Sequence, residues 1–162
     1  MNPRRFYTVR DVCLITIMNV AFEAEFAKVW TDNHTPCLFT LITNIPTHHH
    51  TSAFAEAHSS LTKQLYKQFG EAYLIADFSR VSEEKSEQLC LFYLELIPKL
   101  VKNKISYAAF ICPDKSMESL PPDKRSKLGT APVGIYSSFT EALASVNLKR
   151  SLHFNRKFVS VL

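Results

Sequence analysis

A chain of 162 residues, of which 46% are hydrophobic and 21% are charged, is long enough to form one domain with a single buried core. It contains only three glycines, and none are spaced to form the glycine-rich loops that hold phosphates, which excludes P-loop and dinucleotide-binding folds. The net charge of +4 comes from the two ends, because residues 11–148 carry 12 positive and 15 negative charges. This distribution does not favour nucleic-acid binding.

The apolar stretches indicate a protein without a membrane span. The longest one, residues 12–22, is shorter than the roughly 20 residues that cross a bilayer, so no transmembrane segment is predicted. The cysteines are widely spaced in mostly apolar stretches and form no C-x-x-C pair. We therefore expect them to be reduced core residues of a cytoplasmic protein. They are Cys13, Cys37, Cys90 and Cys112.

The first elements are predicted after an N-terminal extension, residues 1–18, which we expect to be dispensable; whether Met1 or Met18 is the natural start stays open. Residues 26–31 and 37–43 are rich in β-branched and aromatic residues around a polar turn, which predicts a β-hairpin. A helix is predicted from residue 52 to residue 69, with Gly70 as its stop.

The middle of the chain continues with a buried strand, residues 72–76, followed by Asp77. Ser82 is a suitable N-cap for a helix over residues 82–101, in which Pro98 predicts a kink or a break near Ile97. A second buried strand is predicted over residues 107–112.

The last third is predicted to contain a short helix and a loop over residues 114–130, and a strand over residues 133–137. A capping box, Ser138-x-x-Glu141, opens the final helix. Residues 149–162 are expected to form a basic C-terminal tail. The predicted core comprises Leu74, Ile75, Phe92, Leu96, Phe110, Ile111 and Ile135.

This order of elements predicts an α/β fold: a mixed, mostly parallel sheet with an antiparallel N-terminal hairpin, packed by helices. In such folds the carboxyl ends of the parallel strands form the usual binding edge. The candidate site therefore lies at residues 77–86 and 113–116.

The pattern over residues 19–148 resembles small bacterial STAS-like proteins, which are SpoIIAA-like and related to CRAL-TRIO lipid-binding domains. The resemblance is carried by residues 26–32, by Tyr73-Leu-Ile-Ala-Asp-Phe-Ser79, by the Pro98-bearing helix, by Ala108-Ala-Phe-Ile111 and by Phe139-Thr-Glu-Ala-Leu143. It implies a regulatory module that acts through the strand-end surface.

Four residues of that surface are candidates for partner binding or regulation: Asp77, Ser79, Ser82 and Ser86. STAS domains of this type carry a phosphorylatable serine in an Asp-Ser-Ser-Gly sequence. That sequence falls on Lys85-Ser86-Glu87-Gln88 here, so one serine is kept while the acid, the second serine and the glycine are absent. The alternative role of the three serines is in the turn and the helix cap.

The other candidate functional residues give weaker signals in the sequence. His48, His49, His50 and His58 form the only histidine cluster, and no two stand four residues apart, so a solvated loop is favoured over a metal site. Trp30 is predicted to be a core or edge anchor. No catalytic signature is present, and we predict neither enzymatic activity nor a cofactor.

Two hypotheses follow for the function. The first is a non-enzymatic regulatory or interaction module that docks an unidentified protein partner near residues 77–86. The second is a carrier of a small apolar ligand or lipid, with a pocket between the sheet and helices 52–69 and 82–101.

Overall fold

The computed structural model describes residues 19–32, 34–112 and 121–159, and these form a six-stranded sheet packed by helices. The predicted α/β class is therefore confirmed. The strands are β1 (Asn19–Ala24), β2 (Ala27–Thr31), β3 (Cys37–Ile42), β4 (Tyr73–Asp77), β5 (Tyr107–Ile111) and β6 (Val133–Tyr136). The helices are α1 (Thr51–Phe69), α2 (Glu83–Lys102), α3 (Pro122–Thr130) and α4 (Phe139–Val159).

The strands lie side by side in the order of the chain. β1, β2 and β3 are antiparallel, whereas β3, β4, β5 and β6 are parallel and are joined by helices. The predicted hairpin of β2 and β3 is confirmed. Its turn is held by the carboxylate of Asp32, which accepts hydrogen bonds from the amides of His34 (2.8 Å) and Thr35 (2.7 Å).

Strand β1 was not predicted from the sequence. It pairs with β2 as an edge strand, and its register shifts between Val20, which faces Trp30, and Phe22, which faces Val29. This irregularity interrupts the alternation that marks a strand, and most of its residues are exposed. The predicted dispensable extension, residues 1–18, lies outside the described residues, as does Cys13.

The central strands β4 and β5 are buried along their whole length, as the apolar runs predicted. Helices α1 and α2 cover one face of the sheet, where Leu74 and Phe110 point. Helix α4 covers the other face, where Ile75 and Ile111 pack against Ala142. The sheet therefore has a hydrophobic layer on each face, and the candidate site lies where its central strands end.

The predicted ends of the first two helices agree with the structure, except at the proline. Helix α1 ends at Gly70, whose φ of 73° suits glycine and whose amide donates to the carbonyl of Tyr66. A kink or a break was predicted near Ile97, and the break does not occur, because α2 continues through Pro98 to Lys102. Pro98 is exposed, and the buried side chains of its neighbours hold the helix against the core.

Helix α4 begins as the capping box predicted, with the hydroxyl of Ser138 accepting a hydrogen bond from the amide of Glu141. The carboxylate of Glu141 accepts from the amide and hydroxyl of Ser137, and these bonds lower its pKa. The helix runs on to Val159, so the boundary expected at residue 148 falls inside it.

Most of the predicted core is buried, namely Leu74, Ile75, Leu96, Phe110 and Ile111. Phe92 is only partly buried and packs against the edge of the core. The prediction for Ile135 is wrong, because its side chain is 37% exposed. It lies on β6, the last strand in the order of the sheet that the described residues form.

Gly134 leaves room for two tyrosines beneath α4. The hydroxyl oxygens of Tyr107 and Tyr136 are 2.6 Å apart, and that of Tyr136 also contacts the hydroxyl of Ser145. A Cβ atom at Gly134 would lie within 3.0 Å of both tyrosine hydroxyls. Burial and the neighbouring Tyr136 raise the pKa of Tyr107 to about 12, so the phenol of Tyr107 is neutral at pH 7.

Replacing Gly134 by alanine should therefore lower the free energy of unfolding by about 1–3 kcal/mol, as other overpacked sites do. Urea denaturation measures this loss. In the background of Tyr107→Phe, which lacks the nearest oxygen atom, the same replacement should cost less. An equal cost in both backgrounds would show that the two tyrosines do not meet above this glycine.

Candidate functional site

The carboxyl edge of the parallel strands brings the predicted site together with the β1–β2 turn. Asp77, the last residue of β4, lies opposite Leu41 of β3 and Ile111 of β5. Because β2 runs antiparallel to β3, its first residue, Ala27, lies opposite Ile42 at this same edge. The loops that leave β1, β3 and β4 therefore emerge side by side.

Asp77 shapes the turn after β4 and has little surface of its own. Asp77 is only 6% exposed, and its carboxylate accepts a hydrogen bond from the amide of Ser79 at 2.9 Å. The next residue, Phe78, donates its amide to the carbonyl of Ile111 and buries its ring against Phe110. This geometry matches the turn-forming role, in which an Asp side chain binds the backbone two residues on.

The three candidate serines lie in different environments. Ser82 is exposed and caps α2, because its hydroxyl accepts a hydrogen bond from the amide of Lys85 at 3.4 Å. Ser79 is half-buried in the turn. Ser86 is only 2% exposed, so the prediction of an accessible serine there is wrong. Ser86 lies one turn after the cap residue Ser82, on the side of α2 that faces the core, and Leu89 is buried on the same side.

Ser86 lies in a buried group with two thiols, those of Cys90 and Cys112. The pKa of Cys112 is raised first by the adjacent Cys90 thiol and then by burial; the Ser86 hydroxyl lowers it by a smaller amount, and Asp77 raises it least. Cys112 is therefore a protonated thiol. Among the described residues, the Ser86 hydroxyl has no hydrogen-bond partner of normal geometry. With Cys37, these cysteines are free and buried, as predicted.

The exposed part of the predicted surface is thus the first turn of α2. Ser82, Glu83 and Glu84 are all exposed there. The two carboxylates suit the positive end of the helix dipole. The second predicted part of the site, residues 113–116, lies outside the described residues.

An open pocket of about 610 Å³ lies at the same edge, between the β1–β2 turn and the loop after β3. It is lined by Glu23, Ala24, Glu25, Phe26, Thr43, Asn44, Ile45, Thr47 and His50. The part of its lining that follows β3 begins at Thr43, two residues after Leu41, and Leu41 pairs with Asp77. Sequence reasoning missed this pocket because its first wall belongs to the unpredicted strand β1.

The space between the sheet and helices α1 and α2 is filled by aromatic side chains. The ring of Tyr93 lies 5.0 Å from that of Phe110 and 6.2 Å from that of Phe78, measured between centroids. The ring of Phe54 lies 4.7 Å from that of His58. All five residues are fully buried.

His58 is a buried hydrogen-bonding centre in this layer. Its Nδ1 atom donates to the carbonyl of Phe54 at 2.7 Å, which leaves Nε2 as the acceptor atom, 3.0 Å from the hydroxyl of Thr40 and 3.0 Å from that of Tyr93. Burial lowers the pKa of His58 to about 4, more than its bond to the Phe54 carbonyl raises it. The ring is therefore neutral at pH 7 and joins β3, α1 and α2.

This lowered pKa predicts a stability that depends on pH. The unfolded chain binds a proton at His58 below pH 6.5, whereas the folded chain does so only below about 4. The contribution of the neutral His58 ring to the stability of the folded chain is thus complete above pH 6.5 and is lost as the pH falls towards 4. Between pH 7 and 5, the free energy of unfolding should drop by about 2 kcal/mol on this account.

Urea denaturation of wild-type protein and of His58→Gln at pH 7, 6 and 5 measures this effect. The variant has no titrating ring at this position, so the drop should be smaller than in wild type by the amount that His58 contributes. Two parallel curves would show that His58 titrates normally in the folded protein.

The other predicted anchors and clusters have simple roles. Trp30 is buried and stacks on Phe39 at 5.7 Å, as expected for an anchor. The rings of His48 and His49 stack on each other, away from His58. Across residues 19–32, 34–112 and 121–159, no three His, Cys, Asp or Glu side chains are grouped to hold a metal ion. In the same ranges, no helix has the length and apolar character needed to cross a membrane.

Comparison with family models, with curated proteins and with solved structures found no match to this chain. The STAS-like resemblance stays a prediction from the sequence. Any function must therefore be inferred from the geometry of the carboxyl edge.

Proposed function

We propose that this protein is a non-enzymatic regulatory or interaction module that docks a partner protein at the carboxyl edge of its sheet. The docking surface comprises the loop over residues 43–50, the turn over residues 78–82 and the first turn of α2. We name it the edge surface. The observation that carries the proposal is that an open pocket, a polar turn and an exposed helix start all lie at the same carboxyl edge of the sheet.

The rigid support beneath the edge surface favours recognition of a partner. Asp77 fixes the turn from below, Phe78 anchors it in the core, and Ser82 caps the helix that follows. Such a surface is preorganised, so little conformational entropy is lost when a partner binds to it. Its exposed groups are polar and acidic, as in the rim of a typical protein interface.

The carrier hypothesis has less support. A carrier needs an enclosed apolar cavity, and the layer in which the sequence placed it is occupied by packed aromatic rings, including those of Phe54 and Tyr93. The pocket at the edge is open and mixes the carboxylates of Glu23 and Glu25 with Phe26 and Ile45. An open, partly charged pocket fits a protruding side chain of a partner better than a lipid.

Ser82→Asp tests the proposal without disturbing the fold, because aspartate is also a good N-cap. The immobilised chain captures proteins from an extract of the cells that express it, and the capture is repeated with the variant. We expect the variant to lose the specific partner, because it adds a negative charge at the centre of the edge surface. Its melting temperature should stay within about 2 °C of wild type.

The matched control is Gln64→Glu, which adds the same charge at an exposed position of α1, away from the edge. It should retain the partner. A specific partner that binds Ser82→Asp and wild type equally well would refute the edge surface as the docking site.

A further inference from the structure

The C-terminal half of α4 carries an apolar surface that the fold leaves uncovered. Leu148 is 61% exposed and Leu152 is 48% exposed. They are four residues apart and so lie on the same side of the helix, one turn from each other. Large aliphatic side chains exposed in pairs mark a binding surface more often than single ones do.

Neighbouring residues show that this side of α4 faces away from the sheet. Val146 is buried against the strands. The ammonium group of Lys149 lies 5.1 Å from the ring centre of Tyr107, and the guanidinium of Arg150 lies 3.4 Å from the carboxylate of Glu71. These contacts fix the rotation of the helix and leave the two leucines outside.

The charge of the same segment is strongly one-sided. Residues 142–162 contain no aspartate or glutamate, and four basic residues follow Leu148 within ten positions. They are Lys149, Arg150, Arg156 and Lys157. The backbone is helical to Val159.

We propose that the C-terminal half of α4, residues 148–159, docks the protein on an anionic lipid surface. A helix that combines exposed leucines with basic residues and no acids is typical of helices that lie in the membrane interface. Negative headgroups would match the net positive charge of this segment, while the leucines enter the boundary of the acyl chains. A second copy of this chain fits less well, because a symmetric contact would bring two acid-free basic segments together. This proposal concerns a different surface from the edge surface, so each can fail alone.

Vesicle sedimentation with the full chain tests it. We expect binding to vesicles that contain phosphatidylglycerol, little binding to pure phosphatidylcholine, and a marked loss at high salt, which screens exposed charges. Leu148→Ser/Leu152→Ser should weaken binding about tenfold or more, because it removes the two aliphatic side chains that would enter the membrane. Arg156→Glu/Lys157→Glu, a second variant that leaves the leucines in place, should weaken it to a similar extent.

The control is Tyr66→Ser/Val101→Ser, which removes two side chains that are each 42% exposed on α1 and α2, across the sheet from α4. It should bind vesicles like wild type. Melting curves show that each variant is folded. Equal binding to both kinds of vesicle, no binding by wild type, or unchanged binding by the leucine variant would overturn the proposal. So would a wild-type dimer in solution that the leucine variant dissociates, because the occupant of the leucines would then be a second copy.

Discussion

Replacing Ser86 by aspartate should lower the free energy of unfolding by about 3–5 kcal/mol, the cost of an unpaired charge inside a protein. The sequence predicts the opposite, since it places Ser86 on the strand-end surface, where an added charge would be tolerated. In the structure this side chain is 2% exposed and shares its surroundings with the thiols of Cys90 and Cys112 and with the carboxylate of Asp77. A second carboxylate there meets a like charge, that of Asp77.

Two matched variants isolate the effect. Ser86→Ala removes a buried hydroxyl that has no hydrogen-bond partner of normal geometry among the described residues, so its stability should stay close to wild type. Ser82→Asp adds the same charge one turn earlier, at the exposed cap, and should change stability by no more than about 0.5 kcal/mol. If urea denaturation gave Ser86→Asp the stability of Ser82→Asp, residue 86 would lie at the surface.

Ile75→Ala should cost about 2–5 kcal/mol, as other large-to-small replacements in a core do. Ile75 lies in the middle of β4, opposite Phe39 of β3 and Ala109 of β5, and it is 1% exposed. Neighbouring strands and α4 surround the side chain, so the cavity left by truncation cannot collapse easily.

Ile135→Ala is the control for this prediction, because it makes the same chemical change on the edge strand β6. Its side chain is 37% exposed, so we expect a loss below about 1 kcal/mol. Guanidinium denaturation of both variants gives the comparison. Similar losses at the two positions would contradict the order of the strands.

The central elements could be predicted from the sequence because their local signals agree with their environment. The apolar runs of β4 and β5 reflect burial on both faces, and Gly70 and Ser82 sit at helix ends that need a left-handed residue and a cap. Pro98 gave a strong local signal for a break. Packing of the surrounding helix against the core outweighed it.

The candidate site was less predictable, because accessibility depends on how a helix is rotated against the sheet. Ser82 and Ser86 are both plausible surface residues by sequence, and only the packing of α2 separates them. The pocket depends on contact between the β1–β2 turn and the loop after β3, which no local pattern encodes. His58 looked like one member of a loop cluster, whereas its bonds come from Thr40 and Tyr93, which are distant in sequence.

Hydrogen exchange on the complex with a captured partner shows which surface of the protein the partner covers. We first measure the exchange of backbone amides in the free protein and then in the complex. We expect slower exchange, on partner binding, in residues 43–50 and 78–86, with little change in α4. Protection confined to the β2–β3 hairpin around Trp30, or to α4, would contradict the claim that this protein binds its partner through the carboxyl edge of the sheet.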